Sequence, residues 1–126
     1  MKSTNDTALL LIRVGLALVF LAHGWAKVSG MENTIAFFAS IGFSAIWAYI
    51  IAYTELIGGF LMLIGFGTGW AGIALAATMV GSIALVKLSK GFLGGYEFDL
   101  MLFLSAIAIS LAGAGQYTVK YLFRKN

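Results

Sequence analysis

The chain has 126 residues, of which 61% are hydrophobic and 10% are charged, with a formal net charge of +3 at pH 7. Soluble domains carry about 25% charged residues, and small ones bury too little surface to hide so much apolar area, so lipid is the expected solvent. The absence of cysteine excludes disulfides and thiolate metal sites, and the scattered basic residues exclude a nucleic-acid-binding patch.

The first apolar stretch predicts a transmembrane helix over residues 7–28, because about 20 apolar residues cross the hydrocarbon core. Arg13, Phe20 and Lys27 are spaced seven residues apart, and His23 lies three residues after Phe20. These spacings place the four side chains on one helical face. Because ionisable groups are costly in lipid, this polar stripe is predicted to face the bundle interior.

The connection after the first helix mixes polar and apolar residues. Residues 29–44 carry four large apolar side chains among polar ones: Ile35, Phe37, Phe38 and Ile41. Such an amphipathic segment is typical of a short helix in the headgroup region. The sequence therefore predicts a short interfacial segment between the first and second transmembrane helices.

The second predicted helix covers residues 45–65 and holds Glu55 near its middle. Arg13 is the only arginine inside a predicted span, so an Arg13–Glu55 ion pair is expected to satisfy both groups. Gly58 and Gly59, about one turn further on, would let a neighbouring helix approach closely. The pair would either serve a functional site or merely lock two helices together, and both interpretations stay open.

Two further spans complete the predicted fold. A glycine-rich run at residues 65–69 predicts a tight turn, and a third helix follows over residues 70–88. A basic, glycine-rich loop, predicted to be flexible, leads to a fourth helix over residues 96–117. The predicted fold class is therefore all-α, a four-helix transmembrane bundle in a single domain over residues 1–126.

A second polar cluster is predicted at the membrane surface far from Arg13. His23, Lys27 and Glu97 fall within about two turns of that surface, with Asp99 close by. Glu97 would orient the His23 imidazole, with Lys27 as a second cation. Such a cluster could move protons, hold an anionic headgroup or bind a quinone carbonyl. For Lys27 and Asp99 a helix-end role is favoured instead, since lysine snorkels and aspartate suits a helix N-terminus.

Metal binding has little support in the sequence, because one histidine and a few dispersed carboxylates make a poor ligand set. The orientation in the membrane follows from the basic residues outside the spans. Four lie on the side of the termini, against three on the opposite side: Lys2, Lys120, Arg124 and Lys125 against Lys27, Lys87 and Lys90. This bias predicts that both termini are cytoplasmic.

The polar and glycine positions, taken in chain order, resemble the signature of the DoxX family of membrane proteins. The matching positions in the first two helices are Arg13, Gly15, Phe20, His23, Gly24, Lys27, Glu55, Gly58, Gly59 and Gly65. Glu97 and the run of residues 113–118, GAGQYT, extend the resemblance over nearly the whole chain. The family often closes this run with an aspartate two residues later, where this chain has Lys120.

The resemblance implies a four-helix protein of the inner (plasma) membrane, similar to the DoxD-type membrane subunit of thiosulfate:quinone oxidoreductase. On that basis the chain is predicted to be a redox-associated subunit with a quinone or proton site that works with a partner enzyme. The predicted catalytic residues are His23, Lys27, Glu55 and Glu97. The predicted cofactor-binding residues are Arg13, His23 and Glu55, with a quinone as the candidate cofactor.

Two other functions stay open at this point. One is a small proton-coupled transporter or channel, working as a homo-oligomer, in which Glu55 exchanges protons for substrate. The other is a structural scaffold that assembles through the small residues of the third helix: Gly72, Ala74, Ala76, Ala77, Gly81, Ser82 and Ala84. The lipid bilayer is the partner common to all three.

Overall fold

The computed structural model describes residues 2–124; Lys125, one of the residues in the orientation count, lies outside them. The helices in chain order are α1 (Thr4–Ser29), α2 (Met31–Ser40), α3 (Ala45–Ile64), α4 (Thr68–Ser82), α5 (Glu97–Ala112) and α6 (Val119–Arg124). Short π and 3-10 turns over residues 83–96 join α4 to α5. The predicted all-α bundle is confirmed, with four helical segments long and apolar enough to cross a membrane.

Helix α1 begins three residues earlier than predicted because a capping box starts it. The backbone N–H of Asp6 donates to Ser3 Oγ at 3.2 Å, and the backbone N–H of Ser3 donates to Asp6 Oδ2 at 2.7 Å. These bonds satisfy amide donors that a helix N-terminus otherwise leaves free.

The two ends of the bundle are closed by different turns. The predicted tight turn between α3 and α4 is confirmed, since Gly65 and Gly67 both adopt left-handed backbone with φ of +72° and +59°. The fourth helix ends at Ala112 rather than near residue 117, because Gly113 has φ +87° and breaks it. The segment predicted as a flexible loop is instead a series of short helical turns.

The outer surface of the bundle is apolar, as expected for a protein dissolved in lipid. Leu11, Trp70 and Leu111 expose 68%, 83% and 84% of their surface. The interior is a tightly packed apolar core that includes Leu16, Phe20, Met62, Leu75 and Ile109. An apolar exterior of this extent marks a membrane protein, because soluble monomers rarely expose large contiguous apolar patches.

Glycines allow helices α1 and α3 to pack backbone against backbone. A Cβ atom at Gly24 would lie 2.5 Å from the backbone nitrogen of Leu56, and one at Gly59 would lie 2.9 Å from that of Leu21. Gly58 faces α4, where a Cβ atom would lie 2.8 Å from the side chain of Leu75. The predicted close approach at Gly58 and Gly59 is therefore confirmed.

We expect Gly24→Ala to lower the free energy of unfolding by about 1–3 kcal/mol, since the added methyl group meets backbone that cannot move aside. Gly15→Ala is the matched control on the same helix, because nothing lies within 4 Å of a Cβ atom there. It should be neutral or stabilise by up to about 1 kcal/mol. Unfolding in mixed detergent micelles measures both, and equal effects would contradict the packing described.

Candidate functional site

A cavity of about 650 Å³ lies at the end of the bundle that holds α2. All four spanning helices and α2 contribute to its wall. The wall is mainly apolar and aromatic, and includes Phe20, Phe37, Phe38, Trp47, Ile51 and Leu102. The predicted helix between the first and second spans is confirmed as α2, and two of its phenylalanines face this cavity; its place in the headgroup region stays a prediction.

The first polar group of the cavity is an ion pair between α1 and α3. Lys27 Nζ donates to Glu55 Oε2 at 2.8 Å. The Glu55 side chain is only 4% exposed, whereas that of Lys27 is 28% exposed. A carboxylate this deeply buried requires a partner, and Lys27 supplies it while its own ammonium stays near the surface.

The second polar group is a looser ion pair between the end of the third span and α5. Lys87 Nζ lies 3.8 Å from Asp99 Oδ1, with side-chain exposures of 32% and 7%. The Ser82 hydroxyl donates to Asp99 Oδ2 at 2.6 Å. Asp99 is thus buried and held by a short hydrogen bond in addition to the nearby ammonium.

A π-helical turn over residues 83–87 brings Ser82 and Lys87 to the same carboxylate. The N–H of Leu88 donates to the carbonyl of Ile83, five residues earlier, in place of the usual four-residue spacing. In such a turn, residues five apart lie nearly above one another, and π-turns recur at functional sites. Both lysine–carboxylate pairs therefore face one cavity, two positive and two negative groups in all.

Arg13 does not pair with Glu55, so that prediction is wrong. Its guanidinium instead donates to four backbone carbonyls, from Nε to Met62 at 2.9 Å, from Nη2 to Leu63 at 3.1 Å, and from Nη1 to Ala114 and Tyr117 at 2.9 and 2.8 Å. The side chain is fully buried. The carbonyls at the end of α3 carry the partial negative charge of a helix C-terminus and stabilise the cation.

The antiparallel register of α1 and α3 explains this exchange of partners. Gly24 lies against Leu56 and Gly59 against Leu21. In that register Arg13 is level with the turn after α3, about 18 Å along the axis from Glu55 at 1.5 Å per residue. Lys27 is level with Glu55 and takes the place that Arg13 was predicted to fill.

His23 and Glu97 do not form their predicted contact. His23 is exposed at the cavity, where its ring lies 6.4 Å from that of Phe98. The Glu97 carboxylate accepts a hydrogen bond from the backbone N–H of Gly94 at 3.0 Å and does not line the cavity. The reason is helical phase, since two residues correspond to about 200° around α5 and Glu97 points away from the face that carries Asp99.

Three of the predicted site residues, His23, Lys27 and Glu55, therefore share the cavity, whereas Arg13 and Glu97 lie outside it. Sequence reasoning missed Lys87 and Ser82 and assigned Asp99 to a helix end. A signal for Asp99 was present, since Asp99, Leu102, Ala106 and Ile109 recur at helical spacing and are all buried. No group of three or more His, Cys, Asp or Glu residues within residues 2–124 is placed to hold a metal ion.

Comparison with known proteins supports the resemblance to the DoxX family. The family model described as DoxX matches residues 8–88. The chain is 43% identical over 114 residues to the protein named "Putative oxidoreductase CatD" of Bacillus subtilis (strain 168), covering 90% of this chain and 85% of that protein. It is 24% identical over 133 residues to "Inner membrane protein YqjF" of Escherichia coli (strain K12), covering 100% and 99%. No solved structure matches it.

Proposed function

Since this chain belongs to the DoxX family of membrane proteins, we propose that it is a redox-associated subunit of the inner membrane whose cavity holds a lipid-soluble quinone. One observation carries the proposal: an apolar cavity of about 650 Å³ has two lysine–carboxylate pairs in its wall. Mostly apolar cavities with a few convergent polar groups are the usual form of small-molecule sites. The name of the B. subtilis relative supports an oxidoreductase association.

A quinone would supply two-electron, two-proton redox chemistry when bound. The aromatic and aliphatic wall would bind its ring and tail, and a lysine ammonium group would donate to one of its oxygens. Glu55 and Asp99 are the groups that could hold a proton next to such a ligand, and His23 lies at the exposed side. Because the sequence has no cysteine and one histidine, electrons would pass to or from a cofactor of a partner enzyme.

Tryptophan fluorescence offers a direct test, because Trp47, which is 46% exposed, lines the cavity, whereas Trp25 and Trp70 are 62% and 83% exposed and do not line it. In a Trp25→Phe/Trp70→Phe background in nanodiscs, a decyl-benzoquinone should quench Trp47 saturably. The Trp47→Phe protein, which keeps the two outer tryptophans, is the matched control and should show only the linear quenching of quinone dissolved in lipid. Linear quenching in both proteins would refute the proposal.

A proton-coupled transporter is the second candidate, and one observation favours it. A fixed arginine partner would hinder a carboxylate that exchanges protons, and Glu55 has a partly exposed lysine partner instead. On this alternative, Glu55→Gln would abolish proton-coupled flux in proteoliposomes while the protein still assembles. Retention of flux in that variant would rule the alternative out.

The scaffold alternative has less support from the packing. Gly72 faces α5 within the same chain, where a Cβ atom would lie 2.6 Å from the carbonyl oxygen of Ala106. Ala76 is buried in the core, and Ala74 and Ala77 line the cavity. Gly72 and Ala76 therefore serve contacts inside the bundle, whereas Ala77 and Ala84 are exposed and remain accessible for assembly between bundles. If changes at His23 and Glu55 left every phenotype intact while surface changes did not, the scaffold alternative would prevail.

A further inference from the structure

The two lysines of the cavity differ in how completely they are hydrogen-bonded. Lys27 Nζ donates to Glu55 at 2.8 Å, within the normal range for a charged hydrogen bond. Lys87 Nζ lies 3.8 Å from Asp99, too far for a hydrogen bond, and forms none with any residue in the described range 2–124. Lys87 is thus a partly buried side chain whose three ammonium donors form no hydrogen bond with the described residues.

Asp99 does not depend on Lys87 alone. The Ser82 hydroxyl, 2.6 Å from Asp99 Oδ2, supplies the carboxylate with a short hydrogen bond of its own. Lys87 could therefore turn a donor toward a ligand while Asp99 keeps its hydrogen bond from Ser82. Lys27 could not do so at equal cost, because its hydrogen bond is the one that Glu55 receives within the described residues.

The position of Lys87 is set by the backbone. It is the last residue of the π-turn at 83–87, and it lines the cavity together with Leu85 and Val86 from the same turn. Because π-turns are frequent at functional sites, the turn that brings the Lys87 ammonium to the cavity is consistent with a role for that ammonium.

The charges of the cavity indicate what kind of ligand it takes. The ammonium groups of Lys27 and Lys87 are balanced by the carboxylates of Glu55 and Asp99. An anionic ligand at either lysine would be repelled by the carboxylate beside that lysine, and a cationic ligand would be repelled by the two ammonium groups. An uncharged ligand with an acceptor oxygen meets neither repulsion and can accept a hydrogen bond from Lys87.

We propose that Lys87 is the specificity-determining donor of the cavity and recognises the carbonyl oxygen of an uncharged, lipid-soluble ligand. The inference rests on the proposed function for the identity of a quinone as that ligand, but not for the role of Lys87. It therefore extends to any lipid-soluble ketone or dione of suitable size.

Ligand-induced thermal stabilisation of the purified protein tests the proposal, because at a given ligand concentration a tighter ligand of the folded state stabilises that state more. Three probes are compared: a decyl-benzoquinone, the ketone 2-tridecanone and the hydrocarbon tridecane. In Lys87→Met we expect about a 10- to 100-fold loss of affinity for the dione and the ketone, the worth of one charged hydrogen bond, and no change for tridecane.

Lys90→Met is the matched control, because Lys90 is exposed, lies three residues away and does not line the cavity. It should bind all three probes like the unmodified protein. If Lys87→Met does not fold, the Lys87→Met/Asp99→Asn protein removes both charges together and should show the same selective loss.

The outcomes separate this proposal from the proposed function. If the dione and the ketone bind Lys87→Met as tightly as the unmodified protein, the role of Lys87 is refuted and the quinone proposal stands. If the ketone binds in a Lys87-dependent manner and the dione does not bind, the role of Lys87 stands and the quinone proposal fails. If no oxygen-bearing probe binds better than tridecane, both are refuted.

Discussion

Replacing Arg13 by methionine is expected to lower the free energy of unfolding by about 3–5 kcal/mol, the largest of the expected effects. The guanidinium is fully buried and donates to four carbonyls, two at the end of α3 and two in the segment after α5. Methionine fills similar space but donates nothing. The carbonyls would lose their donors where little water can replace them.

Arg124→Met is the matched control, since Arg124 is exposed at the end of α6 and the same change there should be nearly neutral. Arg13→Lys should rescue only part of the loss, because a single ammonium cannot reach four carbonyls arranged around a planar fork. Unfolding in mixed micelles gives the free energies. Equal stabilities of Arg13→Met and Arg124→Met would contradict a structural role for Arg13.

Breaking the Lys27–Glu55 pair is expected to have the second-largest effect. Lys27→Met leaves Glu55, 4% exposed, without the one hydrogen bond that it receives from the described residues. We expect a loss of about 2–3 kcal/mol, below the value for a fully buried pair because Lys27 is 28% exposed. The double change Lys27→Met/Glu55→Leu should recover most of it, since an apolar pair suits this apolar wall.

A double-mutant cycle measures this coupling directly. The Lys87–Asp99 pair provides the internal comparison, and its coupling should be smaller because the ions are 3.8 Å apart and Asp99 keeps its bond to Ser82. If the Lys87–Asp99 coupling equalled or exceeded that of Lys27–Glu55, the division of roles between the two lysines would be wrong.

The architecture of the protein was predictable because lipid imposes simple rules on sequence. Four apolar stretches of spanning length, divided by an amphipathic segment and two glycine-rich connections, fix the number of helices and their antiparallel order. Gly58 and Gly59 were predictable as contact points because two small adjacent residues in a span allow close packing. The family resemblance pointed to the same fold, and the family model matches residues 8–88, so Glu97 and the run at residues 113–118 lie outside that match.

The pairing of charges was not predictable, because it depends on helix register. Arg13 was matched to Glu55 on charge type alone, whereas the crossing at Gly24 and Leu56 sets Lys27 beside Glu55. Arg13 instead donates to backbone carbonyls, and the sequence does not show which carbonyls lie within reach of a guanidinium. Two of these carbonyls, those of Ala114 and Tyr117, belong to the run at residues 113–118, which carries part of the family resemblance.

The Lys87–Asp99 pair in the cavity wall was not predicted, for a different reason. Lys87 is directed inward by a π-turn, and no feature of residues 83–87 distinguishes that turn from a continuing α-helix. Asp99 could have been found by extending the buried stripe of α5 back toward its start. Glu97 is predicted to orient His23 from its depth in the membrane alone, but its carboxylate accepts a hydrogen bond from Gly94 at the helix end.

A crystal structure from a lipidic mesophase, with a brominated decyl-benzoquinone, would test directly whether the cavity binds a quinone. The bromine locates the ligand independently of the protein density. We expect it in the cavity, with a ring oxygen within hydrogen-bonding distance of Lys87 Nζ and the Lys27–Glu55 pair intact. Bromine found only among the surrounding lipids, with the cavity collapsed or filled by acyl chains, would contradict quinone binding in the cavity.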